Sequence, residues 1–294
     1  KFMGVYDELL IEINNCPNGF SKGTEKMIEY ISGLNRDEIS ELLLDIGAIP
    51  QSIKPSSSKE KLYSKVTDIV LSRCFEELNL KSEVLESRGN SADVKAVSKF
   101  HGYSLVADSK AMRLTRTAKN QKDFKIGALG DNWIGNDSTF AVLCCPLYQY
   151  PKVKSQIYEQ SLNNKTCLFS WEYLKFLIDN NIKETEEKSL EPIWSVSVRL
   201  SRTITTDRSM NYFNKITESI CSRVSIGTGE FEEKLKEYYD YLIERAEKEK
   251  VYIEEGLAQI NSLTREEAIE ILSEKGKNQL HELNTFLAQM RGES

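Results

Sequence analysis

The sequence predicts an α/β fold, a sheet flanked by helices, with helical segments at both ends of the chain. Three observations carry that expectation. Residues 81–170 alternate short β-prone runs with helix-compatible segments, an order that builds a sheet with helices packed on it. Ahead of them, Leu62, Val66, Ile69, Val70, Cys74, Phe75 and Leu78 form one long apolar stripe at helical spacing, which must bury itself against such a sheet. Behind them the chain becomes charged and helical in pattern through residues 231–255 and again from Thr264.

In order along the chain, residues 22–33 carry Met27, Ile28 and Ile31 at helical spacing, with Leu34 just beyond. Asn35 with Glu38 three residues on is an N-cap and its partner, opening a helix over 38–46 that Gly47 ends. Ser57 to Glu60 is a capping box for the striped helix. The β-prone runs are 83–85, 94–97, 104–107, 140–145 and 167–170, with helical segments at 116–129 and 153–160 between them. Residues 171–178 read as helix, and the region from there to 226 shows no clear period. Gly227-Thr228-Gly229 then breaks the chain before the charged helix, and Thr264-Arg265-Glu266-Glu267 opens the last one as a second capping box. The expected organisation is a single domain over 1–294: a helical part to 80, an α/β core over 81–180 and a mainly helical part over 181–294.

Composition narrows the function classes. Hydrophobic residues at 40% and charged residues at 29% are ordinary for a soluble globular protein, and no apolar run approaches the ~20 residues a membrane span needs. The six cysteines form no C-x-x-C, and the start is no signal peptide, so a reduced, cytoplasmic setting is expected. Two histidines, His101 and His281, leave little room for a His-rich zinc site or a histidine-based nuclease. A net charge of −6 argues against coating nucleic acid indiscriminately, but not against a local basic patch in a cleft.

The stretch from Asp93 to Lys125 holds the candidate chemistry. A hairpin turning at Phe100-His101 sets Asp93 opposite Asp108, with Cβ atoms ~4.5–5.5 Å apart. Lys110 follows Asp108 by two residues and points to the same face. Two opposed carboxylates repel each other unless a cation joins them, and Mg²⁺ takes oxygen ligands of this kind while completing its shell with water and phosphate oxygens. Such an ion acidifies water and offsets charge at phosphorus, while Lys110 can orient the water or neutralise the transition state. A D-x-K or E-x-K triplet alone says little, because 93–95, 123–125, 186–188 and 232–234 also fit. The apolar run Leu105-Val106-Ala107 and the opposed Asp93 single out Asp108.

Basic residues follow at Lys110, Arg113, Arg116, Lys119, Lys122 and Lys125. Spacing of three makes them spiral around a helix, the pattern of a solvated surface. However, 113–122 contains no acid, and Arg113, Thr115, Arg116, Lys119, Asn120, Gln121 and Lys122 can meet phosphates or base edges, so a DNA-contact surface is expected.

Longer strings point to a family. I-K-P-S-S (53–57), E-K-L-Y-S-K (60–65), D-I-V-L (68–71), R-G-N (88–90), L-V-A-D-S-K (105–110), R-T-A-K-N-Q-K-D-F-K (116–125), Q-Y-P (149–151), K-S-Q-I (154–157), L-F-S-W-E (168–172) and T-R-E-E-A-I-E (264–270) resemble the HindIII family of type II restriction endonucleases, within the PD-(D/E)xK nuclease superfamily. The resemblance is dense over 35–180 and thin elsewhere. It implies a restriction-endonuclease-like core, a mixed central sheet flanked by helices. It also implies a homodimeric, Mg²⁺-dependent enzyme that cuts both strands of double-stranded DNA at a palindrome, AAGCTT, leaving 5′ overhangs. A cognate DNA methyltransferase is expected in the same system without direct binding. By the superfamily pattern Asp93 is the first acid and Asp108-Ser109-Lys110 the D-x-K, with Asp93 and Asp108 holding the metal. Ala92 stands where the pattern has proline. Glu86, Asp123 and Lys125 are further active-site candidates. Two rival expectations stand beside this one: a DNA-binding protein that kept the fold without cleavage, and a repair or junction nuclease of the same superfamily.

Overall fold

Among the described residues five short strands make one sheet, and its mixed direction follows from how they are connected. Strands β1 (Lys81–Val84), β2 (Val94–Val97) and β3 (Ser104–Ser109) succeed one another over short connections and pair antiparallel. Strands β4 (Phe140–Cys144) and β5 (Thr166–Phe169) pair parallel, β4 on β3 and β5 on β4, so each is reached by a crossover. Spatial order is β1-β2-β3-β4-β5, the order of the chain itself. Every residue of β4 and β5 is buried, as expected of parallel strands covered on both faces. This computed structural model describes residues 4–17, 20–85, 93–115, 124–130, 138–152, 155–203 and 211–291.

The chain forms two compact units, Lys1–Glu244 and Arg245–Ser294. In the first, helices α1 (Val5–Asn14), α2 (Phe20–Gly33) and α3 (Arg36–Leu42) precede the long helix α4 (Ser58–Glu77). The stripe on α4 is buried as expected, Val66, Val70, Cys74 and Phe75 at 0% exposure, against β1, β2 and β3. Asn35 caps α3 with the reciprocal Glu38 bond, so the helix begins at Arg36, two residues earlier than expected: the N-cap adjoins the first helical residue. At α4 the box is displaced by one residue. Ser57 Oγ accepts from Glu60 N at 3.2 Å, but the Glu60 carboxylate accepts from Ser56 N at 2.7 Å, with Ser56 at φ 58°. Lys59 turns the other way and donates to the carbonyls of Ile13, Asn14 and Cys16, each at 2.9 Å, closing the end of α1.

Helix α5 (Gln156–Asn163) lies between β4 and β5, and beyond β5 come α6 (Trp171–Asp179), α7 (Glu191–Trp194), α8 (Val196–Ser201) and α9 (Tyr212–Val224). The last three occupy the region that showed no period. Two of them are too short to display one, and their apolar residues are wrapped in aromatics: Trp194 meets Phe169 at 5.2 Å and Phe75 at 5.9 Å between ring centroids. Of the helix expected over 116–129, residues 116–123 lie outside the described set, and in the remainder Phe124 and Ile126–Ala128 are helical, the turn continuing as π-helix at Leu129. Helix α10 (Thr228–Asn261) starts in the first unit and ends in the second, which also holds α11 (Arg265–Arg291). The capping box expected at Thr264 is formed, Thr264 N donating to Glu267 at 2.7 Å and Glu267 N to Thr264 Oγ1 at 3.2 Å.

Gly47 occupies a close approach. A Cβ there would lie 2.6 Å from both Pro146 Cγ and Trp171 Cδ1, while its carbonyl accepts from Met112 N at 2.9 Å. Gly47→Ala is therefore expected to lower unfolding stability by about 1–3 kcal/mol through overpacking. Urea denaturation checks this, and an unchanged midpoint would show that the Trp171 indole yields freely.

Candidate active site

The hairpin register decides what meets at the end of β3. Val94 pairs with Ala107 and Val97 with Ser104, the register expected from a turn at Phe100-His101, so Asp93 and Asp108 come next. The chain stays paired to that point, Asp93 N donating to Ala107 O at 3.3 Å. The far end of the hairpin is clamped by the buried Glu184, whose carboxylate accepts from Ser98 Oγ, from the Tyr103 hydroxyl and from Leu190 N. Because β3 lies between β2 and β4, Asp108 is only 3% exposed. Lys110 Nζ donates to Asp108 Oδ2, and Lys110 N donates to Cys144 O at 2.8 Å, which holds that backbone to β4.

A third carboxylate joins them. Asp68, from the middle of α4, brings an oxygen to within 4.8 Å of oxygens on Asp93 and Asp108. Its Oδ1 accepts from Ser109 N at 3.3 Å and Ser109 Oγ at 2.6 Å, and Ser109 Oγ shares a further 2.6 Å hydrogen bond with Thr67 Oγ1. One turn earlier on α4, buried Lys65 places Nζ 3.4 Å from Asp93 Oδ1 and donates to Leu85 O at 3.2 Å. From its stripe alone α4 is a packing helix, and neither residue is marked out for a role. A signal was present: Lys65, Thr67, Asp68 and Ser72 are polar residues set among the apolar positions of a helix that has to lie on a sheet.

Electrostatics at this point are strained by burial. Desolvation, reinforced by the charges of Asp93 and Asp108, pushes the Asp68 carboxyl well above the usual range against the pull of Ser109 and Lys65. Burial also raises Asp108, although Lys110 beside it works the other way. For Lys110 burial pulls downward, but the carboxylates of Asp108, Asp68 and Asp93 outweigh it and hold the ammonium above its ordinary value. Three acids face two ammonium groups, so one carboxylate lacks a counter-charge in a poorly solvated place. A hard divalent cation, which takes carboxylate oxygens, suits this donor set. The acids line a cleft of about 260 Å³ whose walls also include Lys61, Lys65 and Lys110.

The remaining expected residues divide. Lys125 is exposed with φ 50°, and its charge reaches Asp108, pulling that carboxyl downward. Thr115 is exposed and accepts from Gln51 Nε2 at 3.2 Å. Arg113 spends its guanidinium within the protein, on Pro50 O at 3.1 Å, Ile53 O at 2.7 Å and Glu60 Oε1 at 2.6 Å. In this conformation it braces the loop before α4 rather than facing solvent. Glu86, Arg116, Lys119, Asn120, Gln121, Lys122 and Asp123 lie outside the described residues.

A mixed sheet whose central strand ends in an acid followed by a lysine, meeting the acid just ahead of its hairpin partner, defines the restriction-endonuclease-like class of α/β proteins. The chain matches the family model of the HindIII restriction endonuclease over residues 11–284, and it belongs to that family. It is 43% identical over 268 residues to the type II restriction enzyme HindIII of Haemophilus influenzae, an alignment covering 90% of this chain and 89% of that protein.

Proposed function

We propose that this protein is a type II site-specific endodeoxyribonuclease that hydrolyses one phosphodiester bond in each strand of a palindromic duplex, AAGCTT, with Mg²⁺. The observation that carries the reading is the meeting of the Asp68, Asp93 and Asp108 carboxylates with the Lys110 ammonium at one end of β3. The three carboxylates would hold the ion, which when bound acidifies water and offsets charge on the phosphate oxygens. Lys110, already fixed by Asp108, presents a charged donor where charge grows on a pentacovalent phosphorus. Lys65 holds Asp93 toward the other acids, and Ser109 does the same for Asp68. Lys125 adds positive potential near Asp108, and Glu86 and Asp123 are proposed to belong to the same site.

Thr115, Arg116, Lys119, Asn120, Gln121 and Lys122 are proposed to contact the DNA, with Arg113 supporting the loop beside them. Two copies of the chain related by a twofold axis would each cut one strand of the palindrome. A cognate methyltransferase in the same system, acting without direct binding, would protect the host genome. Among the described residues no helix is long and apolar enough to cross a membrane, and the cytoplasm is the proposed location.

Plasmid carrying AAGCTT sites, incubated with the protein and Mg²⁺, should give discrete fragments whose ends map within that hexanucleotide by run-off sequencing, and EDTA should stop the reaction. Ends elsewhere would replace the recognition site. Binding without any cleavage would favour a non-catalytic DNA-binding protein, and a preference for branched over intact duplex would favour a junction nuclease.

A further inference from the structure

The face of α4 that meets the carboxylates continues outward from Asp68. Lys61, Ser64, Lys65 and Asp68 stand at relative positions of zero, three, four and seven, a single stripe on a helix. All four line the cleft that also holds Asp93, Asp108 and Lys110. The stripe runs from buried to open: Asp68 and Lys65 are 6% and 8% exposed, whereas Ser64 and Lys61 are exposed at the mouth. Three other basic residues on or against α4 are committed inside the protein. Lys59 closes α1, Lys65 holds Asp93 and Arg113 binds Glu60. Lys61, by contrast, has no ion pair and no side-chain hydrogen bond among the described residues, so its ammonium stands at the cleft mouth without an anion.

An exposed lysine is usually just solvated. This one sits on the wall of a cleft whose deepest groups are the acids, on a rigid, buried helix that fixes its backbone. Seven residues of helix span about 10 Å, so the Lys61 backbone stands well outward of the carboxylates and its side chain is placed for a neighbouring phosphate. Resting on the nuclease reading above, we propose that Lys61, with Ser64 beside it, seats the backbone phosphate adjacent to the scissile one on the strand being cut. Helix α4 would then act twice, supplying Asp68 to the reacting centre and a phosphate seat to the flanking nucleotide. Both Lys61 and Ser64 are positioning residues in this scheme, since phosphate contacts fix register without reading sequence.

The test uses the full-length protein and a duplex containing AAGCTT. Binding is measured in Ca²⁺ across a salt series, and single-turnover cleavage in Mg²⁺ at saturating DNA. Lys61→Ala should weaken binding roughly five- to tenfold and reduce the slope of log affinity against log salt by about one, the mark of one lost phosphate contact. Lys61→Arg should restore binding, and Ser64→Ala should weaken it by a smaller factor. Lys183→Ala, an exposed lysine next to the Glu184 clamp at the opposite end of the hairpin, should change neither affinity nor slope. The assignment falls if Lys61→Ala binds like wild type with an unchanged slope, or if Lys183→Ala loses as much. Wild-type protein that neither binds nor cuts the duplex would remove the nuclease reading itself, whereas wild-type cleavage with an indifferent Lys61→Ala removes only this assignment.

Discussion

Asp108→Asn should abolish cleavage, lowering the single-turnover rate at least about 1000-fold, a loss typical of removing a group that holds charge at the reacting centre. The substitution keeps the shape of the side chain and an oxygen for Lys110 to donate to, so it isolates the charge. At 3% exposure and with burial already disfavouring its ionised form, Asp108 contributes no folding stability through its charge in the metal-free protein. The variant should therefore unfold at a temperature equal to or above that of wild type. Calorimetric titration with Mn²⁺ should show binding weakened at least about tenfold, because one of three acidic ligands has become neutral. Cleavage within tenfold of wild type would sink the assignment of Asp108 to the site.

The second large effect belongs to Asp68. Asp68→Asn is expected to slow cleavage by roughly 100-fold and to weaken Mn²⁺ binding, while still accepting from Ser109 Oγ. It should also leave a signature in stability against pH. The folded-state pKa of Asp68 lies well above that of the unfolded chain, so the stability tied to this group is fully present below the unfolded value of ~3.9 and is lost as pH rises through the folded value. The contribution of Asp68 to the stability of the metal-free protein should thus fall as pH rises above ~3.9, and Asp68→Asn should lack that component. Divalent cation should narrow the gap between the two at neutral pH. If the variant cuts at the wild-type rate and its pH profile is unaltered, Asp68 serves only to anchor Ser109.

The sequence disclosed the parts of this architecture that depend on neighbouring residues. The bounds of β2, the hairpin register and the convergence of Asp93, Asp108 and Lys110 all follow from a period of two and one turn. Asp68 escaped because its role depends on where α4 crosses the sheet, a tertiary fact that a helical stripe does not encode. The internal partners of Arg113 were hidden for a related reason. A basic run without acids looks open to solvent, but Glu60, more than fifty residues upstream, stands at 2.6 Å as its partner. The helices over 191–201 were unreadable because four and six residues are too few to display a period, whereas the helix over 212–224 does bury one face, Tyr212, Ile216, Ile220 and Cys221, at helical spacing.

A sheet whose spatial order is the chain's own order has a kinetic consequence. Each strand beyond the first pairs with the strand just synthesised, and the three acids and Lys110 all fall between residues 68 and 110. The loops that must close to assemble the centre are short, so little chain entropy is lost before the native contacts form. Helix α4 and the β1–β2–β3 meander can dock as one early nucleus, with the parallel strands and the later helices condensing onto a centre that already exists.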